Sequence, residues 1–521
     1  MIQSTPTAPA AAPEAEKASF CDEASKPSWR IWIPFIWLFI VSTRSMGTWL
    51  AGGRLDRAAI DLADVSGDPV DRVFLTALII LSLMVLYSRQ ERIKVILANN
   101  KWLVLLFMYM ALSIVWSNFP AISFRRFIRS TGAFLMVLVV LTEHNPLGAI
   151  RTLLKRIYLV HIPLSIMTIK YFRSIGVAYT WDGNEEMWLG LSVHKNNLGQ
   201  VAMCSGLYSA WQVLQNWTKK KLTLDLLLLA LSLWVLRGSK NSHSSTAILG
   251  FIVSAAFLVG LQFIKKRTAR AKHIVVAALI ASVVVGPLVI LGFQALETTP
   301  VRMVLNATGR DITFSGRDAL WTDLLTNAAR NPLLGVGIGA FWVGPVGYAD
   351  YPLPNWSTKT PEWRPNEGHN GYIDVYVELG VLGGVLLVLA IGSAFASALN
   401  DLQYEFELGS IRLVLLLSIV INNLTESSFL RGTHSLWFVF LLVAVSVPKT
   451  SRRIQSEENG GAAEPFGLRG LKNGSEHRFG RLGPYLLWSN FRQTAVATEM
   501  RKWFSNNYCR TEGRCLVPIP R

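Results

Sequence analysis

Long apolar runs recur along most of the chain, separated by short polar breaks. Twelve of them, at 30–46, 73–87, 102–117, 127–142, 154–170, 197–214, 222–237, 245–264, 273–294, 372–394, 410–424 and 433–448, approach the length of a membrane-crossing helix. Such a helix needs roughly 20 apolar residues to cross about 30 Å of hydrocarbon. The pattern predicts an all-α, polytopic integral membrane protein with about twelve transmembrane helices and a large loop between spans 9 and 10. Residues 1–29 are rich in Ala, Pro and Glu and lack a basic start, which predicts a disordered cytoplasmic tail and an uncleaved first span. The domain reading is a tail at 1–29, spans 1–9 over 30–294, a periplasmic loop with a short helix over 295–371, spans 10–12 over 372–448, and a basic cytoplasmic tail over 449–521.

Lys and Arg concentrate in cytoplasmic loops, and this sets the expected orientation. The loops after the even-numbered spans are basic: Arg89, Arg92 and Lys94; Arg151, Lys155 and Arg156; Lys219 to Lys221; and KKRTARAKH at 265–273. The first loop on the other side is acidic, with Asp56, Asp61, Asp64, Asp68 and Asp71. Both termini are therefore expected inside. The composition agrees with a membrane protein, with 51% hydrophobic residues, 18 Trp and only 16% charged residues. The net charge of +17 follows from the basic loops and tail, so it calls for no nucleic-acid partner. Four cysteines, Cys21, Cys204, Cys509 and Cys515, form no C-x-x-C pair, and no His/Cys cluster has zinc spacing. Neither a disulfide framework nor a structural metal or other cofactor is expected, while Asp182, Glu185 and Glu186 leave a metal open.

On this map the polar clusters fall on the outer side. They are SNFPAISFRRFIRS (117–130), GNEEMWLGLSVHKNNLGQ (183–200), RGSKNSHSSTAIL (237–249) and NNLTESSFLRGTH (422–434). Arg125, Arg126 and Arg431 stand where the charge rule disfavours arginine, and together they suggest an anionic ligand. The loop at 308–342 carries two G-R-D triplets and a segment with the pattern of a short amphipathic helix, capped by Ser315 or Asp318 and ended by Asn331-Pro332. A helix start beside arginines suits an anion. Gly335, Gly337 and Gly339 are not spaced as a dinucleotide fingerprint, and close backbone packing or a tight return towards the membrane accounts for them better.

Residues 368–380, GHNGYIDVYVELG, place Asn370, Asp374 and Glu378 four apart at the head of an apolar run. Helical spacing puts them on one face, and carboxylates in a spanning helix must face protein or a wet cavity. Two jobs remain open for them: orienting His369 or binding sugar hydroxyls, and pairing with an arginine of another span. His194, Lys195 and Asn196 at another outer turn are open to two readings, glycan contact or a structural role at a helix entry.

The ordered combination GRD-x-T-x-S-GR with Trp321, then NPLLGVGIGAF, then HNGYIDVYVELGVLG resembles the shared domain of O-antigen ligases and bacterial polysaccharide polymerases. It is most similar to exopolysaccharide-production polymerases and extends over roughly 115–447. The resemblance implies transfer of glycan from an undecaprenyl-diphosphate-linked oligosaccharide to an acceptor glycan at the periplasmic face of the bacterial inner membrane. It also implies a possible chain-length regulator as partner, alongside membrane lipid. The arginine and histidine roles of the family fall on Arg310 or Arg317 and on His369. SKNSHSSTA departs from the Ser-Arg-Thr core of many relatives, so no role is carried over to that turn. Histidine suits a base near neutral pH, and arginine suits phosphate because its fork binds oxygens in pairs. Arg310, Arg317, Arg125, Arg126 and Arg431 are the candidate diphosphate ligands; Asp311 and Asp318 offer the first two a structural pairing instead. Repeat-unit polymerisation, ligation to lipid A core, and a transporter or flippase, for which His161 and Asp225 are the only hints, stay open as functions.

Overall fold

The structure is a computed structural model describing residues 27–53, 68–179, 185–216, 222–240, 243–265, 267, 317–344, 350–359 and 365–448. They lie in the first of two units, Met1–Gly460. The predicted span 273–294, the N-terminal tail apart from residues 27–29, the whole C-terminal tail 449–521, and Arg310 lie outside the described residues.

Regular structure among the described residues is helical apart from one short antiparallel hairpin, β1 Val177–Tyr179 and β2 Glu186–Trp188. The main helices are α1 Trp32–Ser42, α2 Pro69–Tyr87, α3 Gln90–Asn99, α4 Lys101–Ser113, α5 Pro120–Leu141, α6 Pro146–Tyr171, α7 Lys195–Gln215, α8 Leu222–Arg237 and α9 Ser245–Ile264. They continue with α10 Arg317–Ala328, α11 Gly371–Tyr404, α12 Phe406–Asn422 and α13 Ser435–Ala444. Four of them, α2, α6, α9 and α11, are long and apolar enough to cross a membrane, or five spans if α3 and α4, bent by 95°, count as one. This is a multi-pass, all-α membrane protein. The other predicted apolar segments fall on α1, α5, α7, α8, α12 and α13, which are shorter or more polar, so helix length alone does not yield twelve spans.

Sequence signals set the helix starts. Asp68 caps α2, its carboxylate accepting from Val70 N at 2.8 Å ahead of Pro69, and Asn145 caps α6 ahead of Pro146 by accepting from Gly148 N at 2.8 Å. The bend between α3 and α4 sits at Asn100, whose amide exchanges hydrogen bonds with the backbone of Ser446, 2.9 Å out and 2.8 Å back. The tail of α13 is thereby tied to the bend.

Helices α12 and α13 are buried over nearly their whole length and form the centre of the bundle. Lipid is as apolar as leucine, so contact between spanning helices is driven by close packing and a few polar bonds. Trp437 stacks on Phe440 at 5.2 Å and donates to Ser130 Oγ at 3.0 Å. Arg412 pairs with Asp401 and donates to the Val443 carbonyl at 2.7 Å, closing the C-terminal end of α13.

Helix α11 is interrupted at Gly380, at φ 65° and ψ −167°, so the expected uninterrupted span is corrected to two helical pieces running on to Tyr404. The freed N–H groups of Val381 and Leu382 donate to the carbonyls of Pro332 and Leu333 at 2.8 and 3.3 Å. In return Val336 N and Gly337 N donate to the carbonyls of Val377 and Glu378 at 3.2 and 2.8 Å. Backbone groups inside a bundle must be satisfied in this way. The glycine loop therefore fills the break, as close backbone packing requires. Gly335 and Gly380 have positive φ, and a Cβ there would lie 2.4 Å from the Glu378 carbonyl carbon or 2.2 Å from the Leu333 oxygen. Helix α10 ends at Ala328, three residues before Asn331, because turns begin there and Asn331 O is taken by Gly335 N at 2.9 Å.

Gly335→Ala and Gly380→Ala should each destabilise the detergent-solubilised protein by more than ~1 kcal/mol, since alanine meets both a positive φ and a backbone clash. Thermal unfolding is the measurement, and parental midpoints would contradict the docked loop.

Candidate functional site

The GHNG tetrapeptide is moulded over the turn that follows α12. Asn370 caps α11, its side-chain oxygen accepting from Tyr372 N and Ile373 N at 3.1 Å each. Gly371 N donates to the carbonyls of Asn423 and Glu426 at 2.9 and 3.0 Å, and a Cβ there would lie 2.2 Å from Asn423 Oδ1. Asn370 N donates to Ser427 Oγ at 3.0 Å. His369 takes φ 49°, and Leu430, beside Arg431, takes φ 62°; among the described residues these are the non-glycines in the left-handed region. Such conformations cost about 1–3 kcal/mol and persist where surroundings over-determine them.

The buried carboxylate of Glu426 joins three elements. It accepts from Asn196 Nδ2 of α7 at 2.7 Å and from the Arg317 guanidinium of α10 at 3.1 Å, and it faces His369 Nδ1 at 3.4 Å. Arg317 also donates to the Thr425 carbonyl. Glu367 approaches the same His369 Nδ1 at 3.2 Å and pairs with Arg431 at 3.5 Å. Arg431 in turn donates to Asp374 at 2.9 Å. The side chains of His369, Arg317 and Arg431 are 13%, 21% and 26% exposed, whereas that of Glu426 is 5% exposed. The cations and the imidazole thus line the accessible layer, with the organising carboxylate beneath.

Charge and burial compete at this cluster. Burial alone would lower the pKa of His369, but the hydrogen bond to Glu426 and the charge of Glu367 outweigh it and raise the value above 6.5. Burial would raise Glu426, yet the bond to His369 and the Arg317 charge hold it down at about 2. Glu367 is raised, chiefly by burial. Two carboxylates at Nδ1 favour the proton there, which leaves the lone pair on Nε2. Glu367, His369 and Glu426 place ligand atoms within 4.8 Å of one another, a set that a divalent cation would accept. Arg317 and Arg431 already pair with its carboxylates, so a metal would have to displace them.

The structure brings His369, Arg317, Arg431 and Asn196 together, and it gives other predicted residues different work. Arg126 donates to the carbonyls of Gly339 and Trp342 at 2.7 and 2.6 Å, so it holds the glycine loop. Glu378 accepts from Gly339 N at 2.9 Å and serves the same loop. Asp374 accepts from Trp342 Nε1 at 3.2 Å and Gly368 N at 3.1 Å in addition to Arg431, the arginine pairing left open from sequence. Asn370 is a cap, and His194 caps α7 through a bond from Asn196 N at 3.3 Å. Lys195 opens α7 half-buried, and Arg125 is exposed on α5. Sequence reasoning missed Glu367 and Glu426. The signal was present, since Glu367 immediately precedes GHNG and Glu426 lies in the already noted NNLTESS turn.

Comparison with known proteins places this arrangement in context. A family model described as O-antigen ligase matches residues 226–388, a stretch containing Arg310, Arg317 and His369 but not Glu426 or Arg431. The exopolysaccharide production protein ExoQ of Rhizobium meliloti (strain 1021) is 25% identical over 358 residues, covering 67% of this chain and 73% of that protein. Both findings support the resemblance read from the motifs.

The coupling predicts a measurable titration. The pH dependence of His369 modification by diethyl pyrocarbonate, taken as the difference from His369→Gly, should have its midpoint above 6.5 in the parent and a lower one in Glu426→Gln. Because the folded pKa is raised, the stabilisation from protonated His369 is complete below pH 6.5 and is lost as pH rises through the folded value. An unchanged midpoint in Glu426→Gln would sever the link.

Proposed function

We propose that this chain, similar to O-antigen ligases and exopolysaccharide-production polymerases, is a glycosyltransferase that moves glycan from an undecaprenyl-diphosphate carrier to an acceptor glycan. The observation that carries the reading is the convergence of His369 and Arg317 on buried Glu426. It needs a multi-pass protein of twelve spans with both termini in the cytoplasm and the His369 cluster at the periplasmic face. The carrier's tail lies between helices while its diphosphate meets the arginines.

In this mechanism an acceptor hydroxyl gives its proton to His369 Nε2 and its oxygen attacks the anomeric carbon of the donor. The bond from that carbon to the phosphate oxygen breaks, and the lipid diphosphate leaves with the electron pair. Attack opposite the leaving group inverts the anomeric centre. Glu426 and Glu367 orient the imidazole and stabilise it once protonated. Arg317, and Arg310 from the same loop, neutralise the departing charge. Arg431, committed to Asp374 and Glu367, holds the turn in place instead. Polymerisation of repeat units is the favoured outcome, given the similarity to the exopolysaccharide production protein; the O-antigen ligase match favours lipid A core as the competing acceptor.

The test is reconstitution of the purified protein with a lipid-diphosphate-linked repeat unit as donor and acceptor. A ladder of longer lipid-linked products is expected, whereas transfer only after lipid A core is added would make it a ligase, and inactivity with both would return transport to the field. His369→Gly should remain folded, because glycine relieves the left-handed strain, yet lose about 10²–10⁴-fold in rate. Arg317→Lys should lose about tenfold or more by giving up paired contacts to phosphate. The rate should climb as pH passes upward through the raised pKa of His369, since the neutral imidazole is the base. Full turnover by His369→Gly would exclude this base.

A further inference from the structure

His194 adjoins the cluster with one ring nitrogen left over. It is the N-cap of α7, in extended conformation, and its Nδ1 accepts from Asn196 N at 3.3 Å. A ring nitrogen that accepts carries no proton, so this imidazole is neutral and its proton sits on Nε2. His194 is exposed, and its Nε2–H has no hydrogen-bond partner among the described residues. His434 offers a contrast. It caps α13 in the same way, Nδ1 accepting from Leu436 N at 3.3 Å, but its Nε2 lies 3.4 Å from the Asn197 amide, so both its nitrogens are used within the protein. Capping alone does not call for histidine at 194, since Asp, Asn, Ser and Thr are the preferred N-caps. The ring adds to the cap a donor that those side chains do not place so far from the backbone.

The same turn ties His194 to His369. Asn196, two residues on, donates to one oxygen of Glu426 at 2.7 Å, and the other oxygen of that carboxylate faces His369 Nδ1 at 3.4 Å. His194 feels the charges of Glu426, His369, Lys195 and Arg317. The two imidazoles carry complementary Nε2 atoms, a lone pair on His369 and an N–H on His194. Adjacent oxygens of a sugar match such a pair, because one hydroxyl gives up its proton while a neighbouring oxygen accepts a hydrogen bond. An uncharged donor suits a neutral hydroxyl, whereas phosphate calls for the paired contacts of arginine.

We propose that His194 binds the acceptor glycan, its Nε2–H donating to a sugar hydroxyl oxygen next to the hydroxyl whose proton passes to His369 Nε2. Its Nδ1 fixes the tautomer through the cap, so one ring both starts α7 and orients the acceptor. The assignment to the acceptor rests on the transfer reaction proposed above; the contact with sugar can be measured without transfer.

Two variants separate the two nitrogens. In His194→Asn the side-chain oxygen replaces Nδ1 and keeps the cap, but no group reaches the place of Nε2. In His194→Gln an amide N–H reaches the place of Nε2 while the cap is weakened. The full-length protein in phosphatidylcholine nanodiscs is assayed with a lipid-diphosphate-linked repeat unit as donor and the lipid-free oligosaccharide of one repeat unit as the varied acceptor. Calorimetry measures binding of that oligosaccharide without donor. His194→Asn should keep the parental thermal midpoint yet raise the acceptor KM and the oligosaccharide Kd about threefold to tenfold, with the donor KM unchanged. His194→Gln should lower the midpoint and lose less binding than His194→Asn. Parental KM and Kd in His194→Asn, losses that follow the thermal midpoint across both variants, or no binding of the oligosaccharide by the parent would overturn the proposal. A raised donor KM beside an unchanged acceptor KM would overturn the assignment to the acceptor and move the contact to the donor sugar. Binding that depends on His194 in a protein that transfers no glycan would retain the sugar contact and reject the transfer reaction.

Discussion

The carboxylate of Glu426 is the point on which the polar end of the bundle depends. It is buried, and a buried charge survives only when paired and hydrogen-bonded. Its partners come from three distant parts of the chain: Asn196 at the head of α7, Arg317 at the head of α10, and His369 ahead of α11. Removing any one leaves the others around a charge with fewer bonds, so the three positions are constrained together. Two accessible cations and an imidazole with a raised pKa therefore share a small space without repelling one another apart.

A second constraint sets where His369 can stand. Helix α11 breaks at Gly380, and the Pro332–Gly339 loop supplies the backbone partners that the break requires. Above the break, Asp374 and Glu378 fasten the helix head to Arg431, Trp342 and Gly339. The polar stripe at the start of this apolar helix thus faces protein and anchors the glycine loop. His369 reaches the cluster from that anchored head by adopting a left-handed backbone, bracketed by the contacts of Gly368 and Gly371. The His369 cluster is held on helix ends and a braced loop, the preorganisation that the proposed transfer requires.

Some of this was legible along the chain. Apolar period and length revealed a helical membrane protein because lipid leaves a spanning backbone few choices. The caps at Asp68, Asn145 and Asn370 came only with the structure, which starts α2 and α6 ahead of the apolar runs read at 73–87 and 154–170 and makes Asn370 a cap rather than part of the helical face. The G-x-G-x-G run could be separated from a nucleotide motif by spacing, and His369 and Arg317 stood out by residue type and motif resemblance. What the sequence could not decide was partnership. Asp374 was open to a sugar or to an arginine, and Arg126, read as a phosphate ligand, binds two carbonyls instead, because each pairing joins residues far apart in the chain. Glu426, an ordinary glutamate in a polar turn, became the hub only when folding excluded water around it and brought Asn196, Arg317 and His369 within reach. Local order and membrane class are written in short-range pattern; the identity of each charge's partner depends on burial and distance, which only the tertiary structure decides.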